Sequence, residues 1–461
     1  MRKTYLLLAV LLGIQLFFLI NLQFTAWPEM FSYAYLRNNG FLLYKDMIHP
    51  YPPLLTMGLS YIYSIFGYSL NILQSVAWLT ILTSTLLVFL VARQFTKKDD
   101  LALIATAVYV FLQPFLEGNM LWFDTAIVPA ILLGLYFALR NNWFLAGIFL
   151  SVAMLTKQTT GLFYVGSVFY LLVTRAHFGK IKNFLLGPLI LGTPLVIRLL
   201  QEGALTDFLN WTLVYPLTQF GQFPGYVEFS FHWYHALVII VLFGIPLAAL
   251  LKDSKLWRDK NLALLILFLI ISLIIVYPRV SFFHMQLFIA LSAVLWSYLL
   301  RQSLLWKGKQ KRLIAICLAA GFILLIGMIH PSVLRRDWQK EARFFGQEDK
   351  MLAQKIEEAT PQGERVFLLG LNSNLYSMAE ALPPKRWTDN FGWYLEVSGV
   401  QEKILSRWED SPPALVFWRT PSPGNWFDLG TYQPKKIAAW VEEHYTKDKE
   451  VKPGIWIWRK K

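Results

Sequence analysis

Long apolar blocks alternate with short polar connections along this chain, and the blocks have the length of helices rather than of strands. They run 4–24, 69–93, 101–116, 124–139, 143–156, 161–174, 184–200, 234–251, 261–277, 282–300 and 313–329. A hydrocarbon core about 30 Å thick takes about 20 helical residues to cross at ~1.5 Å per residue. The shorter blocks therefore imply helices that tilt or sit inside a bundle. The two-residue alternation of a membrane barrel is missing from them. A further block, 54–66, follows Pro52-Pro53 and stops at Gly67. At ~1.5 Å per residue it makes a helix of only about 20 Å, and its placement sets the side of the membrane on which every later loop falls.

Charge decides that placement. If 54–66 lies on the surface, one set of loops holds Arg93, Lys97, Lys98, Arg140, Arg175, Lys180, Lys182, Lys252, Lys255, Arg258, Lys260, Arg301, Lys307, Lys309, Lys311 and Arg312. The alternating loops hold only Lys157, Arg198 and Arg279. Cytoplasmic loops carry the excess of Lys and Arg, so 54–66 is expected to be interfacial. Thr56, Ser60, Tyr61, Tyr63 and Ser64 suit a surface-lying segment. Arg2 and Lys3 precede the first block, whose length and lack of a small-x-small site before Trp27 predict an uncleaved signal anchor with a cytoplasmic N-terminus.

The expected fold is an all-α polytopic membrane bundle of about eleven transmembrane helices over 1–330, with 25–68 as an exterior first loop containing interfacial helix. Residues 331–461 are expected to form a small exterior α/β domain. There, 366–369, 415–418 and 455–458 read as strands, and 340–358, 400–408 and 434–445 as helices. The tail carries no nucleotide fingerprint or phosphate loop, and no chemistry is assigned to it.

Composition agrees. At 56% hydrophobic and 16% charged residues, with mean hydropathy +0.45, the chain is too apolar for one soluble core. The net charge of +14 belongs to the loops and signals topology, not a nucleic-acid partner. A single cysteine, Cys317, excludes a disulfide or a cysteine-based metal site within the chain. The histidines are too scattered for spacing alone to define a metal site.

Candidate chemistry gathers on the exterior side. Glu29 follows the first block almost at once, and a carboxylate there could take the proton of an acceptor hydroxyl. It could equally be a first-turn acid after Pro28. Lys45, Asp46 and His49 could bind phosphate and orient a sugar, or form a solvated loop with a salt bridge. Glu117 and Asp124 bracket a short connection, with Asp124 also suited to an N-cap. Lys157 and Gln158 end a block on that side, where a lysine can simply snorkel. Arg279 and His284 stand near the ends of two blocks, as interfacial anchors also do.

Three features carry a resemblance: the acid after the first block, the run Tyr44-Lys45-Asp46…His49-Pro50-Tyr51-Pro52-Pro53-Leu54, and Thr156-Lys157-Gln158. Their order and common sidedness resemble the GT-C superfamily of integral membrane glycosyltransferases, in its dolichyl-phosphate-mannose protein mannosyltransferase/ArnT-like branch. The likeness extends over about 1–300, and the tail is similar to exterior domains of bacterial members. It implies inverting transfer of a sugar from a polyprenyl-phosphate donor to a lipid, glycan or protein acceptor on the outer face, among membrane lipids. Glu29 would be the base, and Lys45, Lys157, Arg279 and His284 would stabilise the departing phosphate. Metal dependence varies within the superfamily, and a divalent metal is left open. Two departures stand out. Many relatives carry Asp in an acidic pair where this chain has Pro28-Glu29-Met30, and lipid-A-modifying members carry Lys where Tyr51 precedes Pro52-Pro53. A transporter or flippase is the alternative; Pro188, Pro194 and Pro246 interrupt blocks, but no repeat pairs them. An inert anchor for the tail would need only one span.

Overall fold

The computed structural model describes residues 2–223, 226–227, 232–251, 259–305, 309–389, 392–419 and 434–461. Lys252, Lys255, Arg258 and Lys307 of the charge pattern lie outside them. The chain divides into two compact units: Met1–Phe24, Gln74–Leu195 and Glu228–Lys340 form the first, and Thr25–Leu73, Val196–Val227 and Glu341–Lys461 the second.

The first unit is helical. Each apolar block lies on helix, and among the described residues six helices are long and apolar enough to cross a membrane: Arg2–Asn21, Leu70–Thr96, Phe178–Gln201, Trp233–Leu251, Phe282–Ser303 and Ala315–Asp337. Phe123–Leu139, Trp143–Thr156 and Lys260–Ile274 are shorter, at 17, 14 and 15 residues. At ~1.5 Å per residue, 14 residues span about 21 Å. The last helix runs to Asp337 instead of ending near 329. Its apolarity stops at His330, but Arg335 and Arg336 suit the negative C-terminal end of a helix dipole.

Phe282–Ser303 is largely buried, whereas Leu6, Leu79, Leu189 and Ile323 on other helices are each at least 61% exposed. A surface this apolar calls for lipid as its solvent. The unit makes a multi-pass membrane protein. Trp143–Thr156 meets Phe178–Gln201 through glycines. A β-carbon on Gly187 would collide with the backbone of Gly147, and one on Gly147 with the carbonyl of Phe184. Without a hydrophobic drive between helices in lipid, such close backbone approach supplies the packing energy. Asn119 donates to the carbonyls of Leu19 (2.9 Å), Leu22 (2.8 Å) and Gln23 (3.3 Å), closing the end of the first helix.

The second unit joins the first loop, residues 196–227 and the tail. Leu54–Phe66 is a helix with the bounds its apolar run implied. Its polarity is inside out: Thr56, Ser60 and Tyr63 are buried, while Leu54, Tyr61, Ile65 and Phe66 are exposed. The helix thus packs its polar side chains inward and leaves an apolar face exposed. Its inner face meets the helix Glu29–Asn38, where Arg37 donates to Ser60 Oγ at 2.7 Å and Asn38 to the Ser60 carbonyl at 2.8 Å.

The tail is a four-stranded mixed sheet, β1 (Val366–Leu369), β2 (Leu415–Arg419), β3 (Tyr445–Lys452) and β4 (Ile455–Lys460), in the order β1-β2-β4-β3. β1 and β2 are parallel, with the helix Val400–Asp410 in the crossover, and β4 is antiparallel to both its neighbours. Val366–Leu369 and Leu415–Trp418 are buried, which explains why they read as continuous apolar runs. β3 was not expected. Its Thr446-Lys447-Asp448-Lys449-Glu450 stretch is exposed and charged, as an edge strand needs to be to resist further pairing. Gly454, at φ +79°, makes the β3–β4 turn.

First loop and tail are stitched by backbone bonds. Ile48 N–H donates to the Trp387 carbonyl at 2.9 Å, Trp387 N–H to the Asp46 carbonyl at 2.9 Å, and Ala26 N–H to the Arg343 carbonyl at 3.1 Å. Contacts group Thr25–Leu73 of the first loop with Glu341–Lys461 of the tail.

Candidate active site

Glu29 opens the helix Glu29–Asn38, directly after Pro28. Proline preset to φ near −65° and an acid in the first turn both favour a helix start. A solvated capping residue would be exposed, yet Glu29 is 4% exposed. Among the described residues its Oε2 has no hydrogen-bond partner. Burial holds the carboxyl well above the usual carboxylate range; the nearby Asp389 carboxylate raises it further, and a bond from its own amide pulls the other way. Asp389, from the tail, is also buried, and Ser373 Oγ donates to its Oδ2 at 2.7 Å. Ser32, one helical turn after Glu29, places its hydroxyl 3.0 Å from Ser373 Oγ. Around the two acids stand Tyr33 and Tyr394, whose phenols burial keeps well above their usual range.

The remaining first-loop candidates are held more conventionally. His49 is fully buried between Tyr33 and Tyr44; its Nδ1 lies 2.7 Å from the Tyr51 carbonyl and its Nε2 2.8 Å from Thr56 Oγ1. Burial lowers its pKa to about 4, so the ring is neutral near pH 7. A neutral Nδ1–H donor and Nε2 acceptor fit those two partners. Asp46 Oδ2 accepts from Leu42 N–H at 3.0 Å and from Lys385 at 2.8 Å. Lys45 is exposed and its Nζ donates to the Glu202 carbonyl at 3.3 Å.

In the first unit, residues distant in sequence converge. Asp124 is the second residue of Phe123–Leu139, whose N-cap is Trp122. Its carboxylate is used not as a cap but for Lys157 Nζ, 2.6 Å from Oδ1, and His284 Nδ1, 2.9 Å from Oδ2. Lys157 ends the helix Trp143–Thr156 with extended backbone, and its carbonyl accepts from Thr160 N–H at 3.1 Å and Thr160 Oγ1 at 2.7 Å. Gln158 follows it in the single turn Gln158–Thr160. The short turn Phe282–Met285 carries His284, and Glu117 Oε2 accepts from Phe283 N–H at 3.3 Å. Arg279 is half-buried and close enough to His284 for their charges to repel. Glu117, Asp124, Lys157, Arg279 and His284 thus form one corner. Among the described residues no three His, Cys, Asp or Glu side chains are grouped to hold a metal ion.

Asp389, Ser373, Tyr33 and Tyr394 were missed from the sequence. The available signal was an isolated acid in an aromatic stretch, Trp387-Thr388-Asp389 before Trp393-Tyr394. Nothing in that spacing points across the chain to Glu29.

The helices and their exposed apolar faces define a class, a multi-pass membrane protein, and its fold is similar to that of solved ArnT. Residues 49–197 match the family described as dolichyl-phosphate-mannose-protein mannosyltransferase. In three dimensions the chain is similar to ArnT from Cupriavidus metallidurans bound to undecaprenyl phosphate, with a TM-score of 0.59 at 13% identity over 99% of this chain and 98% of that one. It is also similar to the same protein in the apo state, with a TM-score of 0.52 at 13% identity over 99% and 97%. No curated protein matches it in sequence. The resemblance drawn from Glu29, the first-loop run and Thr156-Lys157-Gln158 therefore holds at the level of fold.

Proposed function

We propose that this chain is a membrane glycosyltransferase that moves a sugar, with inversion, from a polyprenyl-phosphate donor to an acceptor on the outer face of the membrane. The observation that carries the reading is Glu29: a buried carboxylate with an oxygen that has no hydrogen-bond partner among the described residues, eight residues after the helix Arg2–Asn21. The ArnT-like fold and the family match at 49–197 support the reaction class. The undecaprenyl phosphate bound to the solved ArnT supports a polyprenyl-phosphate donor.

In this reading Glu29 takes the acceptor's hydroxyl proton as the acceptor oxygen attacks the sugar's anomeric carbon. The bond from that carbon to phosphate breaks, and its electron pair leaves on phosphate. Within the first unit, Lys157 and Arg279 offer positive charge of the kind such a leaving group needs. Asp124 holds the lysine and is itself held by His284, which keeps the cation from reorganising when the charge develops. In the same reading the first loop and tail lie outside, which the excess of Lys and Arg in the alternate loops supports.

The test uses the full-length protein in membranes with radiolabelled polyprenyl-phosphate sugars. Glu29→Gln is expected to lower transfer by at least ~10²-fold, the scale of general-base catalysis. Unchanged transfer would remove Glu29 as the base. Absence of transfer by the unaltered protein with every donor would count against the enzyme reading itself.

A further inference from the structure

We propose that Asp389 is a positioning residue that sets the basicity of Glu29, so that the base is one half of a carboxylate pair assembled between the first loop and the tail. The proposal rests on the glycosyltransferase reading only for its kinetic consequence. The geometry stands alone. Asp389 and Glu29 are 6% and 4% exposed, so neither charge has bulk water to spread into. Asp389 is fixed by Ser373, which stands 3.0 Å from Ser32 on the helix that begins with Glu29. Residues three apart share a helix face, so this chain of hydroxyls leads to the face bearing Glu29. The parallel bridge between Met47 and Trp387 anchors the segment two residues before Asp389.

Two like charges at such a site cannot both ionise freely, and the pair favours taking up one proton. That is what a base needs. When the acceptor's O–H bond breaks and its proton moves to Glu29, the repulsion from Asp389 is relieved in the same step. Among the described residues the other groups facing Glu29 are Tyr33 on its own helix and Tyr394 of the tail helix Gly392–Glu396. Tyr33 and Tyr394 stay neutral over the working range, so among the described residues Asp389 is the carboxylate that acts on Glu29.

Infrared titration of the full-length protein in detergent reads the Glu29 carboxyl directly, as the band lost in Glu29→Gln. In Asp389→Asn its midpoint is expected to move to lower pH by about one to three units, the scale of a neighbouring charge. Ser373→Ala, which keeps the carboxylate but removes its donor, is expected to move it the same way by less. The acid limb of the transfer rate should follow the band, with a lower plateau in Asp389→Asn. A midpoint unmoved in both variants would overturn the proposal, as would a uniform loss of rate with no shift of the limb. Because the band needs no turnover, a protein without transferase activity would defeat the functional reading and leave this test intact.

Discussion

Lys157 Nζ lies 2.6 Å from Asp124 Oδ1, with side chains only 9% and 1% exposed. Thirty-three residues separate them in sequence, and each would be costly where it stands without the other. Removing one partner of a buried pair leaves an uncompensated charge, at about 3–5 kcal/mol, whereas apolar replacement of both can be neutral. Lys157→Met and Asp124→Leu are each expected to lower thermal stability in detergent markedly. The double variant Lys157→Met/Asp124→Leu should recover much of the loss. Strictly additive losses would show that the two side chains are not coupled.

Glu29 makes the opposite prediction for stability. Its folded pKa is raised above the unfolded value, so the stability it contributes is complete below about pH 4.5 and is lost as pH rises through the folded value. Glu29→Gln should therefore unfold at a higher temperature than the unaltered protein at pH 7 to 8, and at nearly the same temperature at pH 4. The gain at neutral pH reads how far burial has raised the carboxyl, at about 1.4 kcal/mol per pH unit. A destabilised Gln variant at neutral pH would contradict the cost of burying this carboxylate.

His49 titrates the other way. Its pKa is lowered to about 4, so its contribution is present above about pH 6.5 and lost as pH falls through 4. The fall from 6.5 corresponds to about 3 kcal/mol as an upper bound. His49→Asn keeps a donor for the Tyr51 carbonyl but cannot gain a proton. Stability measured from pH 6.5 to 5 is expected to slope downward in the unaltered protein and to flatten in this variant. Equal slopes would mean that the ring is not held neutral.

Gly147→Ala or Gly187→Ala should force the helices Trp143–Thr156 and Phe178–Gln201 apart, because each new methyl meets backbone that cannot rotate away. Overpacking of this kind costs about 1–3 kcal/mol. Gly192→Ala, in the same helix as Gly187, meets nothing within 4 Å and should be tolerated. Thermal melts of the three variants distinguish the contact from a general intolerance of alanine.

Much of the fold was legible because lipid imposes a coarse rule. Every block such as 184–200 or 234–251 must be helical when it leaves water, since no other local structure satisfies its backbone. The same reasoning set the bounds of Leu54–Phe66, and burial on both faces made β1 and β2 visible as apolar runs. Charged edge strand β3 escaped, because its role is to look unlike a strand partner. Residue types in the first loop and after Thr156 marked Glu29, Lys157 and Asp124 as chemically capable. Their environments belong to tertiary structure. Burial is what distinguishes Glu29 from a helix-capping acid, and Ser373 together with the Met47–Trp387 bridge brings Asp389 to it from the other end of the chain. Local sequence fixes which segments leave water; the proton affinity of a side chain depends on what surrounds it, and only folding decides that.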